Sequence, residues 1–171
     1  VVFVCSEVAP GVKAGGLGDV AGALPQALAG TGDAEVAVIA PLYRMVSEQA
    51  AREGVVFENT QVSVSAAVGG HVRSGRFVAF RGSSAPIFFL DCPELYDREG
   101  IYDPAIRRGY DATGYQDNAA RFAFLSIAAL EAGVALVGGP VDIFHAHDWQ
   151  TALIPTLLRG PYRARHPDAR S

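Results

Sequence analysis

The sequence predicts an α/β domain with a Rossmann-like, mostly parallel sheet that is flanked by helices and carries a small antiparallel β insertion. Three observations support this fold class. Two continuous apolar runs, "VVFVCS" (1–6) and "AEVAVIAP" (34–41), enclose an Ala- and Leu-rich helix over 16–29. The middle of the chain alternates apolar and polar residues. The last third contains a long apolar helix, a buried strand and a final helix, which favours parallel strands with right-handed crossovers.

Each element in the first half has its own signal. Pro25 predicts a bend in the first helix, and Pro41 ends the second strand. The stretches "VVFENTQVSVSAAV" (55–68) and "HVRSGRFVAF" (71–80) alternate apolar with polar residues, which is typical of half-exposed antiparallel strands. The Gly-Gly pair at 69–70 indicates a hairpin turn between them.

The second half returns to buried elements. The stretch "APIFFLDCP" (85–93) predicts another buried strand. Residues 97–115 are rich in turn formers and aromatic residues, so this segment is expected to be irregular and exposed. A long helix is predicted over roughly 113–136. It is followed by a strand with a polar end, "GGPVDIFHAHDW" (138–149), and by a last helix, "QTALIPTLLR" (150–159).

Composition limits the function classes. The 171 residues suggest one domain, and a content of 50% hydrophobic and 19% charged residues supports a packed core. The net charge of −4 argues against nucleic acid as a partner. There is no signal peptide pattern and no apolar run of membrane-spanning length, so no membrane partner is expected. Cys5 and Cys92 close apolar runs and indicate reduced core thiols, which favours a cytoplasmic location.

Both ends of the sequence suggest a piece of a longer protein. Val1 begins inside a strand, and the tail "RARHPDARS" (163–171) is typical of a loop at a point where another strand is expected. We therefore expect residues 1–171 to form one incomplete domain.

A glycine-rich stretch, "SEVAPGVKAGGLGDVAGALPQAL" (6–28), joins the first strand to the first helix. Unhindered glycine amides at a helix N-terminus point outward, and the helix dipole favours negative charge there. Lys13 adds a mobile positive charge beside Gly15 and Gly16. This combination predicts an anion site, and the competing interpretation is a flexible turn with a solvated lysine.

Two known phosphate-binding patterns fit this stretch poorly. A Walker loop has the spacing of Gly11 to Gly16 but requires Lys and Ser or Thr where Leu17 and Gly18 stand. A dinucleotide fingerprint matches Gly16, Gly18 and Ala21. However, about nine residues separate Gly16 from the first strand, where that fingerprint requires a tight turn. A dinucleotide site is therefore not favoured.

The strand end "FHAHDWQ" (144–150) is the second candidate site. His145 and His147 share one face of a strand, at the carboxyl end where parallel sheets bind ligands. A binuclear motif His-x-His-x-Asp-His would require aspartate where Trp149 stands, so no metal site is predicted. Asp148 is expected to cap the helix that follows, whatever else it does.

Acidic residues cluster around the irregular segment, where a glycosidase would need two carboxylates that flank the scissile bond. Nothing in the sequence singles out such a pair, and hydrolysis is not favoured. These acids are Asp91, Glu94, Asp97, Glu99 and Asp103.

Four blocks closely resemble bacterial glycogen synthases and plant starch synthases. They are "CSEVAPGVKAGGLGDVAGALPQAL", "LDCPELYDREGIYD", "YQDNAARFAFLS" and "VDIFHAHDWQTALIP", in the family's order over nearly the whole chain. The family string is Lys-Thr-Gly-Gly-Leu, then Ala or Gly, then Asp-Val, and Ala14 stands here in place of the threonine. The resemblance implies the N-terminal half of a two-domain GT-B fold.

The same resemblance implies a retaining transfer of glucose from ADP-glucose to the 4-hydroxyl group at the non-reducing end of an α-1,4-glucan such as glycogen. It implies catalytic roles for Lys13 and Asp148, with no cofactor and no bound metal. Asn118 and Gln150 lie in matching blocks, and their roles stay open. Substrate contacts are implied for Lys13, Gly15, Gly16, Leu17, Gly18, Asp19, Tyr102, His145 and His147.

By this resemblance, Lys13 and the amides of 15–18 face the sugar nucleotide and stabilise negative charge on the diphosphate as the bond to C1 breaks. Asp148 is expected to hold sugar hydroxyls or to support the reaction centre, without attacking as a nucleophile. Tyr102 has two interpretations of equal weight, a substrate contact or an aromatic plug that holds the irregular segment. Lys13 and Asp148 are then expected to line one hollow.

The family's second α/β domain carries most of the nucleotide contacts and would be the main partner of this one. The residues do not settle the donor base, so a UDP-glucose-using enzyme is an alternative. The other alternative is a non-catalytic module that binds glucan or nucleotide. Residues 1–171 alone are expected to be inactive, because they would hold only part of one cleft wall.

Overall fold

The computed structural model describes residues 1–103 and 114–171. In this part of the chain, a six-stranded sheet is flanked by helices, which confirms the predicted fold class. The strands are β1 (Val2–Val4), β2 (Ala37–Pro41), β3 (Glu58–Val68), β4 (His71–Phe80), β5 (Ile87–Asp91) and β6 (Phe144–Ala146). The helices are α1 (Gly16–Thr31), α2 (Arg44–Glu53), α3 (Pro93–Tyr96), α4 (Asn118–Val137) and α5 (Leu153–Arg159), with a 3-10 turn at Trp149–Thr151.

Four parallel strands form one side of the sheet, in the order β5-β2-β1-β6, with β6 as the edge strand. Val4 of β1 pairs with Ile39 of β2 on one side and with Ala146 of β6 on the other. Every residue of β1 and β2 is buried, as the continuous apolar runs predict. The carboxyl ends of β1 and β6 therefore lie side by side.

Strands β3 and β4 form the predicted hairpin. Its turn contains Gly69 and Gly70, whose φ angles of 61° and 80° are readily adopted by glycine. Because β4 also pairs antiparallel with β5, the hairpin extends the main sheet as its outer edge. The antiparallel insertion is thus continuous with the parallel strands.

Helix α4 is a core helix that contacts β1, β2, β3 and β5. Gly133 lies so close to the ring of Phe144 that an added Cβ would be 3.1 Å from it. By length and composition alone this helix could cross a membrane, which corrects the expectation that no apolar run is long enough. Most of the helix is buried inside the domain, as expected for a core helix of a folded protein.

One helix was not expected from the sequence, and one predicted segment lies partly outside the described residues. Helix α2 was not predicted, because most of its residues are polar and only Val46 and Ala50 are buried. Residues 104–113, which contain part of the predicted irregular segment and the predicted start of the long helix, lie outside the described residues. The flanking parts of that segment, 97–103 and 114–115, contain neither helix nor strand.

The last residues begin to extend the sheet beyond β6. Ile143 and Arg170 form an isolated parallel bridge. The amide of Phe144 donates to the carbonyl oxygen of Arg170 at 2.8 Å. The amide of Arg170 donates to the carbonyl oxygen of Asp142 at 2.8 Å. The bridge lies where the sequence predicts another strand.

Candidate active site

Polar residues follow the carboxyl ends of β1 and β6, where the chain's connections diverge. Helix α1 leads from β1 to β2, whereas β6 lies on the other side of β1. Parallel α/β sheets bind ligands at such a switch point. Ser6 and Glu7 follow β1, and His147 and Asp148 follow β6.

The glycine loop, which comprises Lys13–Asp19, leads the chain into α1. Gly15 is the N-cap of that helix, with an extended backbone. The amides of Gly16, Leu17 and Gly18 belong to the first turn, which offers them no intrahelical acceptor. Among residues 1–103 and 114–171, no atom would lie within 4 Å of an added Cβ at Gly15 or Gly16, so this part of the chain leaves the backbone open to a ligand there.

Two further glycines of α1 have a packing role. A Cβ at Gly18 would lie 3.1 Å from the carbonyl oxygen of Val12, and one at Gly22 would lie 2.7 Å from that of Ala9. The amide of Ala9 also donates to the carbonyl oxygen of Gly18 at 3.0 Å. These close contacts fix the direction in which the N-terminus of α1 points.

Glu7 binds the glycine loop from inside the domain. The residue is 3% exposed, and its Oε2 accepts hydrogen bonds from the amides of Ala14 at 2.7 Å and Gly15 at 3.1 Å. The amide of Gly15 thus points inward, which corrects the expectation that it faces a ligand. That the amides of residues 16–18 face a ligand stays a prediction.

Lys13 and Asp19, two residues of the predicted site, form an ion pair. Lys13 Nζ lies 2.6 Å from Asp19 Oδ2, and about half of each side chain is exposed. A pair this exposed contributes less than about 1 kcal/mol to stability. Its consequence is positional, because Asp19 lies in the first turn of α1 and holds the ammonium group beside that turn.

Tyr102 links the end of β1 to the end of β6. Its hydroxyl donates to Oε1 of Glu7 at 2.6 Å and lies 2.7 Å from Oγ of Ser6. Its ring packs against Phe122 and Trp149, at centroid distances of 5.9 Å and 6.1 Å. Burial, and then the hydrogen bond to Glu7, raise the pKa of Tyr102, so its hydroxyl stays protonated. These contacts fit the aromatic-plug interpretation, and a substrate contact stays a prediction.

The two histidines lie on one face of the sheet, as predicted. Their ring centroids are 4.5 Å apart, and the ring of Phe3 lies 4.5 Å from His145 and 5.4 Å from His147. Burial lowers the pKa of His147, and the neighbouring His145 lowers it further. The Nε2 atom of His147 is buried and has no hydrogen-bond partner among residues 1–103 and 114–171.

Asp148 has a strained backbone and an exposed side chain. Its φ of 62° and ψ of −175° fall in a region that is adopted almost only by glycine. Its carboxylate accepts a hydrogen bond from the Trp149 amide at 2.7 Å, which confirms the predicted capping role, at the 3-10 turn. Such backbone strain occurs mainly at functional sites.

Arg121, in α4, organises the segment that carries Tyr102. It is fully buried and donates to the carbonyl oxygens of Leu95 at 2.8 Å and Ile101 at 2.7 Å, and to Oδ1 of Asn118 at 2.6 Å. Nδ2 of Asn118 donates in turn to the carbonyl oxygen of Tyr102 at 2.8 Å. Asn118 therefore has a structural function, which its sequence block left open.

Several acids near the irregular segment bind arginines. Ion pairs of this kind, each with at least one exposed partner, are ordinary features of a protein surface. The pairs are Asp91 with Arg76, Glu94 with Arg73, and Asp97 with Arg44. Within the described part of the chain, no group of three or more potential metal ligands occurs.

A groove of about 740 Å³ lies at the opposite end of the sheet from these residues. It is lined by residues that precede strands, such as Val1, Pro86 and Asp142. Lys13 and Asp148 do not line this groove, and the hollow that they are expected to share stays a prediction. They are instead exposed near the carboxyl ends of neighbouring strands.

Sequence reasoning missed three residues of this site, namely Ser6, Glu7 and Trp149. Trp149 is 53% exposed beside Asp148 and packs edge-on against Phe122 at 5.2 Å. The available signal for Ser6 and Glu7 was their position, because a polar pair directly follows a buried strand at the ligand-binding end of the sheet.

Comparison with known proteins identifies the family. The profile of the starch synthase catalytic domain matches residues 1–170. The chain belongs to the starch synthase catalytic domain family. Its relatives include the glycogen synthase of Anaeromyxobacter dehalogenans strain 2CP-1, 44% identical over 170 residues, and that of Syntrophotalea carbinolica, 38% identical over 159 residues. These alignments cover 98% and 93% of this chain, but 31% and 30% of the relatives.

A solved starch synthase structure is similar throughout. The catalytic domain of starch synthase IV from Arabidopsis thaliana, bound to ADP and acarbose, matches with a TM-score of 0.74 and 27% identity. The match covers 99% of this chain and 32% of that one. The chain thus spans about a third of the length of the family members it matches, and the resemblance seen in the sequence is confirmed.

Proposed function

We propose that the protein containing this domain is a glycogen or starch synthase, which transfers glucose from ADP-glucose to the non-reducing end of an α-1,4-glucan with retention of configuration. The supporting observation is the placement of Lys13, the exposed first turn of α1 and Asp148 near the carboxyl ends of β1 and β6, in a chain of this family. The related Arabidopsis domain binds ADP and acarbose, a glucan mimic, which supports these two classes of partner.

In the proposed reaction, the bond between C1 of glucose and the diphosphate oxygen breaks, and its electron pair leaves with ADP. The 4-hydroxyl oxygen of the acceptor bonds to C1, and its proton passes to the departing diphosphate. Lys13 and the amides of 16–18 stabilise the negative charge that develops on the diphosphate. Because Lys13 is already paired, binding exchanges Asp19 for phosphate oxygens.

Asp148 acts on the sugar side of this bond. The capping hydrogen bond from Trp149 orients its carboxylate, and the side chain is exposed. A carboxylate in that position holds sugar hydroxyls or stabilises positive charge that develops at C1. Tyr102, His145 of β6 and His147, which follows that strand, complete this side as substrate contacts.

A second α/β domain completes the cleft in this proposal, and the length of the relatives supports it.

We also propose that the protein acts in the cytoplasm. Cys5 and Cys92 are buried and free, as in proteins of reducing compartments. Burial raises the pKa of the Cys5 thiol to about 12, which keeps it protonated and unreactive.

The proposal is tested with the full-length protein, ADP-glucose labelled in the glucose, and glycogen. The wild-type protein is expected to lengthen glycogen, and a parallel assay with UDP-glucose identifies the donor base. Lys13→Ala is expected to lower kcat/KM for the donor about 100-fold, because a cation at a developing anion is lost, and Lys13→Arg should restore part of it.

Two outcomes would contradict parts of this proposal. A wild-type protein that binds glycogen but transfers no glucose would be a non-catalytic glucan-binding module. A Lys13→Ala variant with unchanged turnover and unchanged affinity for ADP-glucose would remove Lys13 from the mechanism.

A further inference from the structure

Glu7 contacts two parts of the candidate site at once. Through Oε2 it accepts the amides of Ala14 and Gly15, and through Oε1 it accepts the hydroxyl of Tyr102. The two amides belong to the residues between Lys13 and the first turn of α1. One carboxylate therefore fixes both the backbone that carries the donors of the glycine loop and a tyrosine 95 residues further along the chain.

The chemistry of these contacts makes the arrangement rigid. A buried carboxylate is costly unless it is fully hydrogen-bonded, and hydrogen bonds to an ionised group are about twice as strong as neutral ones. The partners of Glu7 within the described residues are two amides and one hydroxyl, while Lys13 is paired with Asp19. Any shift of these donors leaves the buried charge under-solvated, so they move only together.

The contacts continue to the other side of the site. The ring of Tyr102 packs against Trp149, which directly follows Asp148. We propose that Glu7 is a positioning residue that sets the separation between the anion-binding glycine loop and the side of the site formed by Tyr102 and Asp148. Its kinetic consequences rest on the proposed function, and it acts through other residues without touching substrate.

Two substitutions in the full-length protein separate the contacts of Glu7. Glu7→Ala removes all of them. Glu7→Gln keeps the volume, and its carbonyl oxygen still accepts the amides of Ala14 and Gly15. Its NH₂ group then faces the Tyr102 hydroxyl, which has to turn its proton toward Ser6. The glutamine variant therefore keeps the loop contact and changes the tyrosine contact.

Gln26 supplies a matched control for loss of stability. This residue of α1 makes several hydrogen bonds to Ser83, Ser84 and Ala85, which precede β5 at the opposite end of the sheet. Gln26→Ala thus removes a comparable set of part-buried polar contacts away from the site.

Kinetics and thermal unfolding of the three variants give the first readout. Glu7→Ala is expected to raise the KM for ADP-glucose about tenfold or more, while Gln26→Ala lowers the Tm and leaves both KM values unchanged. Glu7→Gln keeps the loop contact and alters only the sugar side of the reacting bond, so it is expected to lower kcat per folded molecule while the donor KM stays within about threefold of wild type. If Glu7 had only a structural role, its variants would lower the apparent kcat in proportion to the fraction of folded protein and would leave every KM unchanged. That result would overturn the inference.

Hydrogen exchange gives a second readout that does not depend on activity. Exchange in the peptide that contains Ala14 and Gly15 is expected to quicken in Glu7→Ala and to stay slow in Glu7→Gln. Unchanged exchange in Glu7→Ala would refute the positioning role even in a protein that transfers no glucose. Lack of transfer by the wild-type protein, with the expected exchange pattern, would refute the proposed reaction and not the ordering of the loop by Glu7.

Discussion

Asp148 occupies a backbone conformation that costs a non-glycine residue about 1–3 kcal/mol. A glycine would relieve that strain, so the backbone alone does not favour an acid. The side chain offers a cap for the Trp149 amide and an exposed negative charge beside Tyr102. We therefore attribute the aspartate to what its carboxylate does.

Substitution at Asp148 separates charge from fold. Asp148→Asn keeps the cap and is expected to lower glucose transfer about 100-fold, because the charge on the sugar side is lost. Asp148→Gly loses the cap but relieves strain, so its stability should stay within about 1 kcal/mol of wild type while transfer is equally low. Turnover and thermal unfolding of the full-length variants measure both effects, and wild-type turnover in Asp148→Asn would exclude a role for the charge.

His147 predicts a pH-dependent contribution to stability. Because burial lowers its pKa in the folded state, the folded protein disfavours the charged imidazolium that the unfolded chain forms. Its contribution is therefore fully present above the unfolded pKa of about 6.5 and is lost as pH falls through the lowered folded pKa. The Tm difference between pH 7.5 and pH 5.5 should be smaller in His147→Gln than in wild type.

The matched control for this measurement is His71→Gln, at an exposed position of β4. This control variant is expected to keep the wild-type Tm difference. An equal difference in wild type and His147→Gln would show that the pH dependence arises elsewhere.

At the scale of elements, the glycines of α1 predict opposite effects of one substitution. Gly16→Ala places a methyl group in open space, so stability should be unchanged while the KM for ADP-glucose rises about tenfold, because the methyl group blocks access to the first-turn amides. Gly22→Ala places Cβ 2.7 Å from the carbonyl oxygen of Ala9 and should cost about 1–3 kcal/mol of stability. Donor kinetics and thermal unfolding test the pair, and an unchanged KM in Gly16→Ala would place the ligand away from this turn.

The elements differ in how well the sequence predicts them. Strands β1 and β2 were predictable because strands that are buried on both faces require continuous apolar runs. The hairpin was predictable because the Gly-Gly pair marks its turn. Helix α2 was not, because it buries only Val46 and Ala50. The role of Glu7 was also beyond the sequence, since an acid after a strand does not reveal that its partner is Tyr102, 95 residues away.

At the scale of the whole molecule, several residues of the candidate site are exposed. Lys13, Gly15, Gly16 and Asp148 are all exposed, and the relatives are about three times as long as this chain. The end of the sheet at which they lie was predictable, because parallel strands place ligands at their carboxyl ends. The inward direction of the Gly15 amide was not, since it depends on Glu7.

The isolated chain 1–171 is expected to transfer no glucose from ADP-glucose to glycogen. The physical reason is that transfer requires contacts to both substrates from more than one side, and water has free access to residues this exposed. Labelled glucose incorporation measures this, with the full-length protein as the positive control. Elongation of glycogen by 1–171 alone would show that this domain is a complete catalyst.

The strand pairing has a consequence for synthesis of the chain. One neighbour of strand β1 in the sheet is β6, which is synthesised about 140 residues later. Until then, that edge of β1 has no partner strand. At translation rates of about 5–20 residues per second, that wait lasts roughly 7–30 s. During this interval the apolar edge "VFV" can pair with other nascent chains, and slow ribosomes or scarce chaperones should therefore lower the yield of folded protein.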